Sequence, residues 1–441
     1  MVAAARRVSV RVLQRVEQDL AWATPTLDAE LGRNKLGRAD AALATQIVYG
    51  TLRTLPTLDA ALARHTRRAG RMDPFVHAAL AAGAFQLLHL ARVPSHAVVD
   101  DTVEIVRGKR GPRVGGFANA ILRKVAAERP RDPRLPERVA VPDWLERRLR
   151  RSIGDANTNS LLRLSDAATS TDVRVGPRSN PEAVVRTIRE SSPNINVVRT
   201  TFASAGLRLE KSGDPRTLGA YTRGEIAVQE EGAQLIGEAP GALPGERVLD
   251  ACAGRGGKTA QLVQAVGPSG EVTAADLHER RLDQIPDELD RLGIDPAQLS
   301  RACVDWTVGQ GDVVGEFDRV LVDAPCTGLG TLRRRPEILL RTDAGDAARM
   351  GETQAKILAR AASLVRPGGT LVYAVCSPLD EEGLEVARGA ILPGFRPAKS
   401  PPFGLKSLPF GSNPCIRLGP WVEGAGAWAD AYQCFVWVHV G

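Results

Sequence analysis

Cysteine is scarce in this chain of 441 residues, and several features that usually accompany it are missing. The six cysteines are scattered, and no two of them have the C-x-x-C spacing of zinc or dithiol sites. A disulfide framework is therefore excluded, we expect no metal site, and a reducing cytoplasm is the expected compartment. The longest apolar stretch, residues 78–91, is interrupted by Gln86 and His89 and is too short to span a bilayer. We therefore predict no membrane-spanning segment.

Aromatic residues are also few, at 4%, but the rest of the composition is that of a globular protein. Hydrophobic residues make up 43% of the chain and charged residues 25%. These values exclude disordered, collagen-like and coiled-coil proteins. The length exceeds what one hydrophobic core usually holds, so we expect two or three domains.

The net charge of +7 is unevenly distributed along the chain. Residues 1–150 contain 26 Lys and Arg against 15 Asp and Glu, an excess of +11, whereas residues 151–441 contain 32 against 36, a balance of −4. A basic domain favours a polyanion such as nucleic acid, through phosphate contacts and counterion release. Genomic composition bias is the alternative explanation, because Arg outnumbers Lys 50 to 8.

The basic N-terminal third has the pattern of an all-α domain. From Arg7 to about Ala127, apolar residues recur with helical spacing and strand-like alternation is scarce. A proline-rich stretch over residues 128–143 then breaks any helix, which places the end of this domain near residue 140. The basic side chains expected on its surface are Arg64, Arg67, Arg68, Arg71, Arg107, Lys109, Arg110 and Arg113.

Two further domains are predicted after this boundary. Residues 141–235 are predicted to contain a linker and a small α/β subdomain, because strand-like runs at 172–175 and 206–209 flank a helical run. In residues 236–441, apolar runs of strand length alternate with helix-length segments. This alternation predicts an α/β fold with a doubly wound parallel sheet. The helical run covers residues 181–190, and the four later strand-like runs are 248–251, 272–275, 320–322 and 371–375.

A glycine-rich segment follows the first of these four runs, with the sequence Asp-Ala-Cys-Ala-Gly-Arg-Gly-Gly-Lys-Thr at residues 250–259. It is not a P-loop, because Cys252 stands where that motif needs glycine, and Thr259 fails the dinucleotide fingerprint in the same way. Glycines still let a ligand approach the backbone. Asp276 follows the next strand, where a carboxylate can accept both ribose hydroxyls, and Asp305 follows a further run, within reach of an adenine amino group. The pattern predicts a nucleoside site.

Two cysteine-bearing segments carry the strongest chemical signal. The segment Asp-Ala-Pro-Cys runs from Asp323 to Cys326 after one predicted strand, and Cys-Ser-Pro begins at Cys376 after the next, 50 residues later. If the two strands are neighbours, both thiols and Asp323 share one pocket at the carboxyl edge of the sheet. Free cysteines are usually small buried hydrophobes, and we apply that interpretation to the other downstream thiols. These are Cys303, Cys415 and Cys434.

The combination of motifs resembles the Sun/Fmu family of S-adenosylmethionine-dependent RNA (cytosine-5) methyltransferases over nearly the whole chain. The Asp-Ala-Pro-Cys and Cys-Ser-Pro segments are its most specific matches. The N-terminal region resembles a NusB-type RNA-binding domain, with Val-Tyr-Gly-Thr-Leu-Arg at residues 48–53 and Phe-Ala-Asn-Ala-Ile-Leu-Arg at 117–123. The resemblance implies a Rossmann-like methyltransferase core, an all-α NusB-like domain and a small α/β RNA-binding subdomain. It also implies S-adenosylmethionine as cofactor, 16S rRNA as partner, and a monomer.

The resemblance further implies roles for individual residues. Cys376 matches the nucleophile of the family, and Cys326 matches a second cysteine linked to product release. The residues that match its cofactor contacts are Cys252, Ala253, Gly254, Arg255, Gly256, Gly257, Lys258, Asp276, Asp305 and Asp323.

Three segments depart from the family pattern. Gly254-Arg255 stands where Ala-Pro is usual, and Val375 replaces a threonine before the nucleophile. The usual Gln-Asp-x-Ser segment is Gln-Glu-Glu-Gly at residues 229–232.

The residue types suit methylation of cytosine at carbon 5. That carbon is a poor nucleophile, so a thiolate must first add to carbon 6. A thiolate needs a depressed pKa, for which Lys258 or nearby arginines are sources. Asp323 can hydrogen-bond the base at N3 and stabilise the adduct.

The target base must leave its stack to be reached. A run of three arginines after the Cys326 motif can hold the phosphates next to that base. A solvated surface explains such a run equally well. The three are Arg333, Arg334 and Arg335.

Two other functions compete with this interpretation. A DNA cytosine-5 methyltransferase would use Cys326 as nucleophile, but Cys376 would then have no role. A NusB-like RNA-binding or assembly factor with an inactive second half is a different class of protein, and the unusual Arg255 is its main support.

Overall fold

The computed structural model describes residues 3–66, 72–164, 170–399, 415–423 and 430–441. The chain forms two compact units. The first comprises Met1–Arg147, Leu162–Leu164 and Leu332–Asp343, and the second comprises Arg148–Leu161, Ser165–Thr331 and Ala344–Gly441. The small and large predicted α/β regions thus lie in one compact unit. Of the basic residues expected on the N-terminal surface, Arg67, Arg68 and Arg71 lie outside the described residues.

The first unit is helical, as predicted. Its central helix, α4, packs against α1, α3, α5 and α6, and because it is surrounded on all sides it is apolar around nearly its whole circumference. Asp73 caps this helix by accepting a hydrogen bond from Val76 N, and Pro74 occupies the first turn, where a missing N–H costs little. The helices are α1 (Ala4–Gln18), α2 (Ala23–Asn34), α3 (Arg38–Ala63), α4 (Pro74–His89), α5 (Ser95–Arg110) and α6 (Pro112–Ala127).

A seventh helix, α7 (Asp143–Leu162), occupies part of the predicted linker. Its helical geometry is interrupted at Gly154, whose φ of +79° lies in the left-handed region that favours glycine. Residues 128–142 of the preceding proline-rich stretch contain no helix, as predicted, and α7 begins at its last residue.

The second unit begins with a four-stranded antiparallel sheet in the order β2-β3-β1-β4. The predicted strand-like runs lie in β1 and β3, and the predicted helical run lies in α8. The strands β2 and β4 were missed because they are only four and three residues long, which is too short for a periodic pattern. The elements are β1 (Ser170–Val175), α8 (Pro181–Ser191), β2 (Asn196–Arg199), β3 (Gly206–Glu210), α9 (Gly219–Thr222) and β4 (Ile226–Val228).

A larger mixed sheet follows, in the order β10-β12-β9-β8-β5-β6-β7, with β11 paired to β12. The strands from β5 to β9 pair with one another in parallel, as predicted. The strands β10, β11 and β12 were not predicted, and they pair antiparallel, β12 with β9. The strands are β5 (Arg247–Asp250), β6 (Glu271–Asp276), β7 (Leu299–Cys303), β8 (Phe317–Asp323), β9 (Val365–Val375), β10 (Phe395–Pro397), β11 (Cys415–Leu418) and β12 (Tyr432–His439).

Helices cover both faces of the parallel strands. Alternate strand residues belong to two hydrophobic clusters, so that Val248 lies in one and Leu249 in the other. The first cluster includes residues of α11 and α13, and the second includes residues of α14. The helices of this region are α10 (Glu231–Glu238), α11 (Gly257–Val266), α12 (Glu279–Leu282), α13 (Ile285–Leu292), α14 (Asp346–Ala362) and α15 (Leu384–Gly389).

The direction in which successive strands are added along the sheet reverses between β5 and β8. From β5 the chain moves outward through β6 and β7, and it then returns to β8 on the other side of β5. In open α/β sheets, ligands bind outside the carboxyl ends of the strands at such a point. Within the described part of the chain, no helix has the length and apolar character needed to cross a membrane.

Candidate active site

The loop between β5 and α11 depends on two glycines with positive φ. Gly254 has a φ of +57° and Gly256 a φ of +83°, and a Cβ on Gly256 would lie 2.8 Å from Ile285. Gly257 opens α11 without such strain, and beyond its chain neighbours and the backbone of its own helix no described atom lies within 4 Å of the position that its Cβ would take. The loop therefore exposes backbone at the first turn of a helix, which is a position suited to a polar ligand.

Asp276, at the end of β6, holds this loop in place. Its side chain is 7% exposed. One carboxylate oxygen accepts a hydrogen bond from Gly254 N and the other from His278 N, both at 2.9 Å. The predicted ribose acceptor thus lies directly beside the glycine loop.

Asp305 lies two residues beyond β7 and is exposed. Its carboxylate accepts hydrogen bonds from the hydroxyl and the backbone N–H of Thr307, which together lower its pKa. The structure therefore places both predicted acids, Asp276 and Asp305, after successive parallel strands at one edge of the sheet.

A lysine from the first turn of α11 reaches the end of β8. Lys258 Nζ donates to Asp323 Oδ2 at 2.5 Å, and both side chains are largely buried. Burial by itself would lower the pKa of Lys258, but Asp323, Asp250 and the Cys376 thiol group outweigh that effect and raise it. Lys258 therefore stays protonated and supplies a fixed positive charge close to Cys376.

The third member of this charged group is Asp250, at the end of β5. It is 1% exposed and accepts a hydrogen bond from Thr259 Oγ1 at 2.7 Å. Burial raises the pKa of Asp250 to about 6, although Thr259 and Lys258 partly oppose that rise. A carboxylate is thus retained under the glycine loop at neutral pH at a cost in folding free energy.

The two predicted reactive thiols are in contact. Because β8 and β9 are neighbours, with Asp323 beside Ala374, the loops that follow them bring Cys326 Sγ within 3.3 Å of Cys376 Sγ. The hydrogen bond with Cys376 and burial raise the pKa of Cys326 far above its usual range. Either sulfur can be the donor in the hydrogen bond that joins the two thiols.

A buried glutamate that sequence reasoning missed joins the two cysteine loops. Glu382 is fully buried. Its carboxylate accepts hydrogen bonds from the backbone N–H and hydroxyl of Thr327, both at 2.6 Å, and from Ser377 Oγ at 2.5 Å. Its position in the acidic run of residues 380–382 resembles a solvated surface, so the spacing of six residues from Cys376 was the only available signal.

Three further buried side chains support these loops and were also missed. Gln354 Nε2 donates to Pro325 O at 2.9 Å, and its amide oxygen accepts from Tyr373 Oη at 3.1 Å. Gln433 Nε2 donates to the carbonyl oxygens of Ser377 and Leu379. These residues come from α14, β9 and β12, so their convergence has no signature in linear spacing.

The predicted arginine cluster is only partly available to a ligand. The segment that contains it, residues 332–343, belongs to the helical unit. Arg333 is 9% exposed, and its carbonyl oxygen accepts two hydrogen bonds from Arg53. Its predicted role in holding phosphate does not fit this buried position. Arg334 and Arg335 are exposed, and the guanidinium of Arg335 lies 5.7 Å from the Trp22 ring centre.

The remaining cysteines differ in their surroundings, and all six are free thiols. Burial raises the pKa of Cys434, and it raises the pKa of Cys415 to about 11, as expected for small apolar side chains. Cys303 does not fit that interpretation, because it is exposed at the end of the edge strand β7. Burial also raises the pKa of Cys252 in the glycine loop far above its usual range.

The departures from the family pattern lie in ordinary structural positions. The Arg255 side chain is exposed, and Val375 is fully buried in the hydrophobic cluster that faces α14. Gln229 accepts a hydrogen bond from Arg174 at 3.0 Å, and Glu231 accepts one from Phe202 N at 2.5 Å. Among the described residues, no group of histidine, cysteine and acidic side chains is arranged to hold a metal ion.

Comparison with known proteins agrees with this architecture. The family model "16S rRNA methyltransferase RsmB/F" matches residues 242–394, and the NusB family model matches residues 3–127. A relative from Pseudomonas putida, described as "Ribosomal RNA small subunit methyltransferase B", is 31% identical over 405 residues, which are 89% of this chain and 90% of that protein.

Two solved structures show the same fold. The crystal structure of PH0851 superposes with a TM-score of 0.83 at 22% identity and covers 99% of both chains. The structure of NSun6 from Pyrococcus horikoshii with SFG has a TM-score of 0.57 at 16% identity, covering 68% of this chain and 99% of that one.

Proposed function

This chain belongs to the 16S rRNA methyltransferase RsmB/F family, and we propose that it methylates carbon 5 of a cytosine in RNA through a covalent adduct with Cys376. S-adenosylmethionine-dependent RNA methyl transfer is its enzyme class. The observation that carries the finer proposal is the pair of thiols 3.3 Å apart, next to the ion pair of Lys258 and Asp323.

The residues at the strand ends fit S-adenosylmethionine. Open space next to Gly257 lets a ligand approach the backbone, and Asp276 offers a carboxylate beside it for the ribose hydroxyls. Asp305 follows β7, the strand next to β6, where it can meet the adenine. Asp323 ends β8, which lies on the other side of β5. We propose that residues 252–258 and these three acids hold the cofactor. When bound, it supplies an electrophilic methyl group.

Cys376 activates the base. Its thiolate forms a bond with carbon 6 of cytosine, and the displaced π electrons make carbon 5 nucleophilic. Lys258 contributes a positive charge close to this nucleophile. We propose that N3 of the base gains a proton as the thiolate adds to carbon 6, and that the Asp323 carboxylate accepts a hydrogen bond from N3–H and so stabilises the adduct.

Cys326 acts when the product leaves. After methylation, a base takes the carbon 5 proton, the electron pair of that C–H bond forms the double bond between carbons 5 and 6, and the bond between carbon 6 and sulfur breaks, so that Cys376 departs as a thiolate. A thiol that carries a proton at 3.3 Å stabilises that leaving group. The high pKa of Cys326 supports this role, because a thiol that resists ionisation retains a proton for hydrogen bonding.

The partner that fits best is 16S rRNA, with the basic helical unit contributing phosphate contacts. An exposed single-stranded loop suits the reaction, because carbon 5 and carbon 6 must be reached outside the base stack. We propose that the enzyme acts as a monomer in the cytoplasm, where its six free thiols remain reduced.

Replacing single cysteines by alanine tests the chemistry. We expect Cys376→Ala to lower methyl transfer to RNA by about a thousandfold or more, since no other group replaces the nucleophile. Cys326→Ala should accumulate a covalent complex of protein and RNA that resists denaturing electrophoresis. Cys303→Ala is the matched control, because that exposed thiol lies at an edge strand and should leave the rate unchanged.

Loss of activity in Cys326→Ala alone would overturn the assignment and favour the chemistry of DNA cytosine-5 methyltransferases. Titration with S-adenosylmethionine distinguishes the enzyme from the remaining alternative, because a binding or assembly factor with an inactive second half would show no cofactor binding.

Bisulfite mapping of RNA from cells that lack the protein tests the substrate. We expect one 16S rRNA site to lose its methylation, and loss of tRNA sites alone would contradict the proposal.

A further inference from the structure

Glu382 is a buried charge to which the proposed reaction gives no role. All four polar contacts of its carboxylate lie within the second compact unit, and they come from three side chains and one backbone amide. Oε1 accepts from Thr327 N at 2.6 Å and from Gln354 Nε2 at 3.5 Å, while Oε2 accepts from Thr327 Oγ1 and Ser377 Oγ.

The position of these donors in the chain is what gives Glu382 its significance. Thr327 directly follows Cys326, and Ser377 directly follows Cys376. One carboxylate therefore binds the residue next to each thiol. A second link between the same loops runs from Gly330 N to Cys376 O at 3.0 Å, and Tyr373 Oη donates to the carbonyl oxygen of Glu382 itself.

A structural role alone does not require a charge at this position. Burial of a carboxylate is unfavourable, and here it raises the pKa of Glu382 although the hydrogen bonds from Ser377 and Thr327 oppose the rise. An ionised carboxylate only accepts hydrogen bonds, so the hydroxyls of Thr327 and Ser377 must both direct their hydrogens towards it. This restriction fixes the rotamers of both residues and with them the loops on which the thiols lie.

We propose that Glu382 is a positioning residue that holds Cys326 and Cys376 in contact, so that one proton is shared between the nucleophile and the group that assists its release. This inference rests on the proposed function. Because Glu382 is fully buried, it touches neither substrate nor cofactor and acts through Thr327 and Ser377. Its negative charge also contributes to the high pKa of Cys326.

The first test is Glu382→Gln, with Glu381→Gln as the matched control. Glutamine has nearly the same size but presents an NH₂ group to donors that need an acceptor. Glu381 is the adjacent acid, and its carboxylate is paired with Arg148 at 3.6 Å. We expect Glu382→Gln to lower kcat about a hundredfold, in line with the cost of misplacing reacting groups by about 1 Å. The KM for RNA and the Kd for S-adenosylmethionine should change less than about twofold.

A second measurement reports on the thiol pair directly. In the Cys326→Ala background, Glu382→Gln should reduce the yield of covalent RNA complex to the same extent as it reduces kcat. Alkylation by iodoacetamide, followed against pH, should show ionisation of the second thiol at lower pH, because removal of the Glu382 charge lowers the pKa of Cys326. A residue that only supports folding would not shift this ionisation.

If Glu382→Gln fails to fold, Thr327→Val and Ser377→Ala answer the same question with Glu382 intact. Each removes one hydroxyl donor, and each should lower kcat while cofactor binding is retained. Wild-type kcat and wild-type adduct yield in Glu382→Gln would overturn the inference, as would equal losses of kcat and cofactor affinity. Failure of the proposed function is distinguishable, because then the Cys326→Ala protein would form no covalent complex even with Glu382 present.

Discussion

At the scale of single residues, the site combines charged side chains on whose pKa values burial and neighbouring charges have opposite effects. Lys258 lies between Asp250 and Asp323, and it keeps its proton because these acids outweigh the effect of burial on its pKa. At Asp250 the effect of burial outweighs the effects of Thr259 and Lys258. It is the most deeply buried of the three, and its pKa is raised to about 6. Proteins commonly accept such costs where pKa values must be tuned for chemistry. The consequence at Asp250 is measurable as a pH dependence of stability.

We predict that Asp250→Asn removes part of the pH dependence of folding. Because the folded chain holds this proton up to about pH 6 and the unfolded chain only up to about 3.8, the group stabilises the fold fully below pH 3.8 and this contribution is lost as pH rises through 6. The loss amounts to about 3 kcal/mol. Asparagine cannot ionise, so the difference in unfolding free energy between pH 4 and pH 7 should change by about 2 kcal/mol, because part of the contribution is already lost at pH 4.

Urea denaturation at a series of pH values, followed by tryptophan fluorescence, measures this effect. The exposed Asp312→Asn variant is the control and should retain the wild-type dependence on pH. Parallel curves for Asp250→Asn and the wild-type protein would contradict the prediction.

At the scale of elements, the turn from β5 into α11 separates the requirements of folding from those of binding. Gly256 is needed by the fold, because its φ is +83° and its hydrogen faces Ile285. Gly257 has ordinary helical surroundings and faces open space, so the fold would accept a side chain there. The fold thus requires glycine at position 256, whereas at position 257 only ligand binding would require it.

We predict opposite phenotypes for the two alanine variants. Gly256→Ala should lower the free energy of unfolding by about 1–2 kcal/mol or more, from the left-handed conformation and the contact with Ile285. Gly257→Ala should leave stability unchanged or improve it by up to about 1 kcal/mol. It should nevertheless weaken binding of S-adenosylmethionine by about tenfold or more, or about 1.4 kcal/mol, because a methyl group fills the approach to the backbone. Thermal unfolding and calorimetric titration measure the two effects, and a stable Gly257→Ala protein with unchanged affinity would place the cofactor elsewhere.

At the scale of the whole molecule, charge and chemistry are divided between different parts of the chain. The first 150 residues carry a net charge of +11 and the remainder −4. The reactive thiols, the glycine loop and the acids at the strand ends all lie in the second unit, whereas the exposed basic residues of α5 and α6 lie in the first. This division suits an enzyme that binds a large polyanion with one region and modifies a single base with another.

The salt dependence of RNA binding should reveal this division. We predict that replacing Arg107, Lys109 and Arg113 by glutamine weakens binding to 16S rRNA fragments and reduces the slope of log K against log salt concentration by about 1 for each phosphate that the variant no longer binds. Lys356, Arg396 and Lys399 are exposed basic residues of the second unit, and their triple glutamine variant is the charge-matched control. Equal effects of the two triple variants would show that net charge alone governs binding.

The sequence by itself determined the features that depend on local order. Apolar runs alternating with helical segments are enough to specify parallel strands, and parallel strands bring their carboxyl ends to one edge. For that reason the order of residues along the chain is sufficient to predict that Asp276, Asp323, Cys326 and Cys376 lie at one edge of the sheet. The helical character of the N-terminal domain follows from the spacing of its apolar residues in the same way.

Only the tertiary structure decided which side chains meet across elements that are far apart in sequence. Glu382 lies in an acidic run that resembles a solvated surface, yet packing buries it between two loops. Arg333 lies in a basic run, yet its segment folds into the helical unit and buries it, and Cys303 lies on an edge strand that leaves it exposed. Burial is a property of the neighbours that folding brings together, and a one-dimensional pattern does not contain those neighbours.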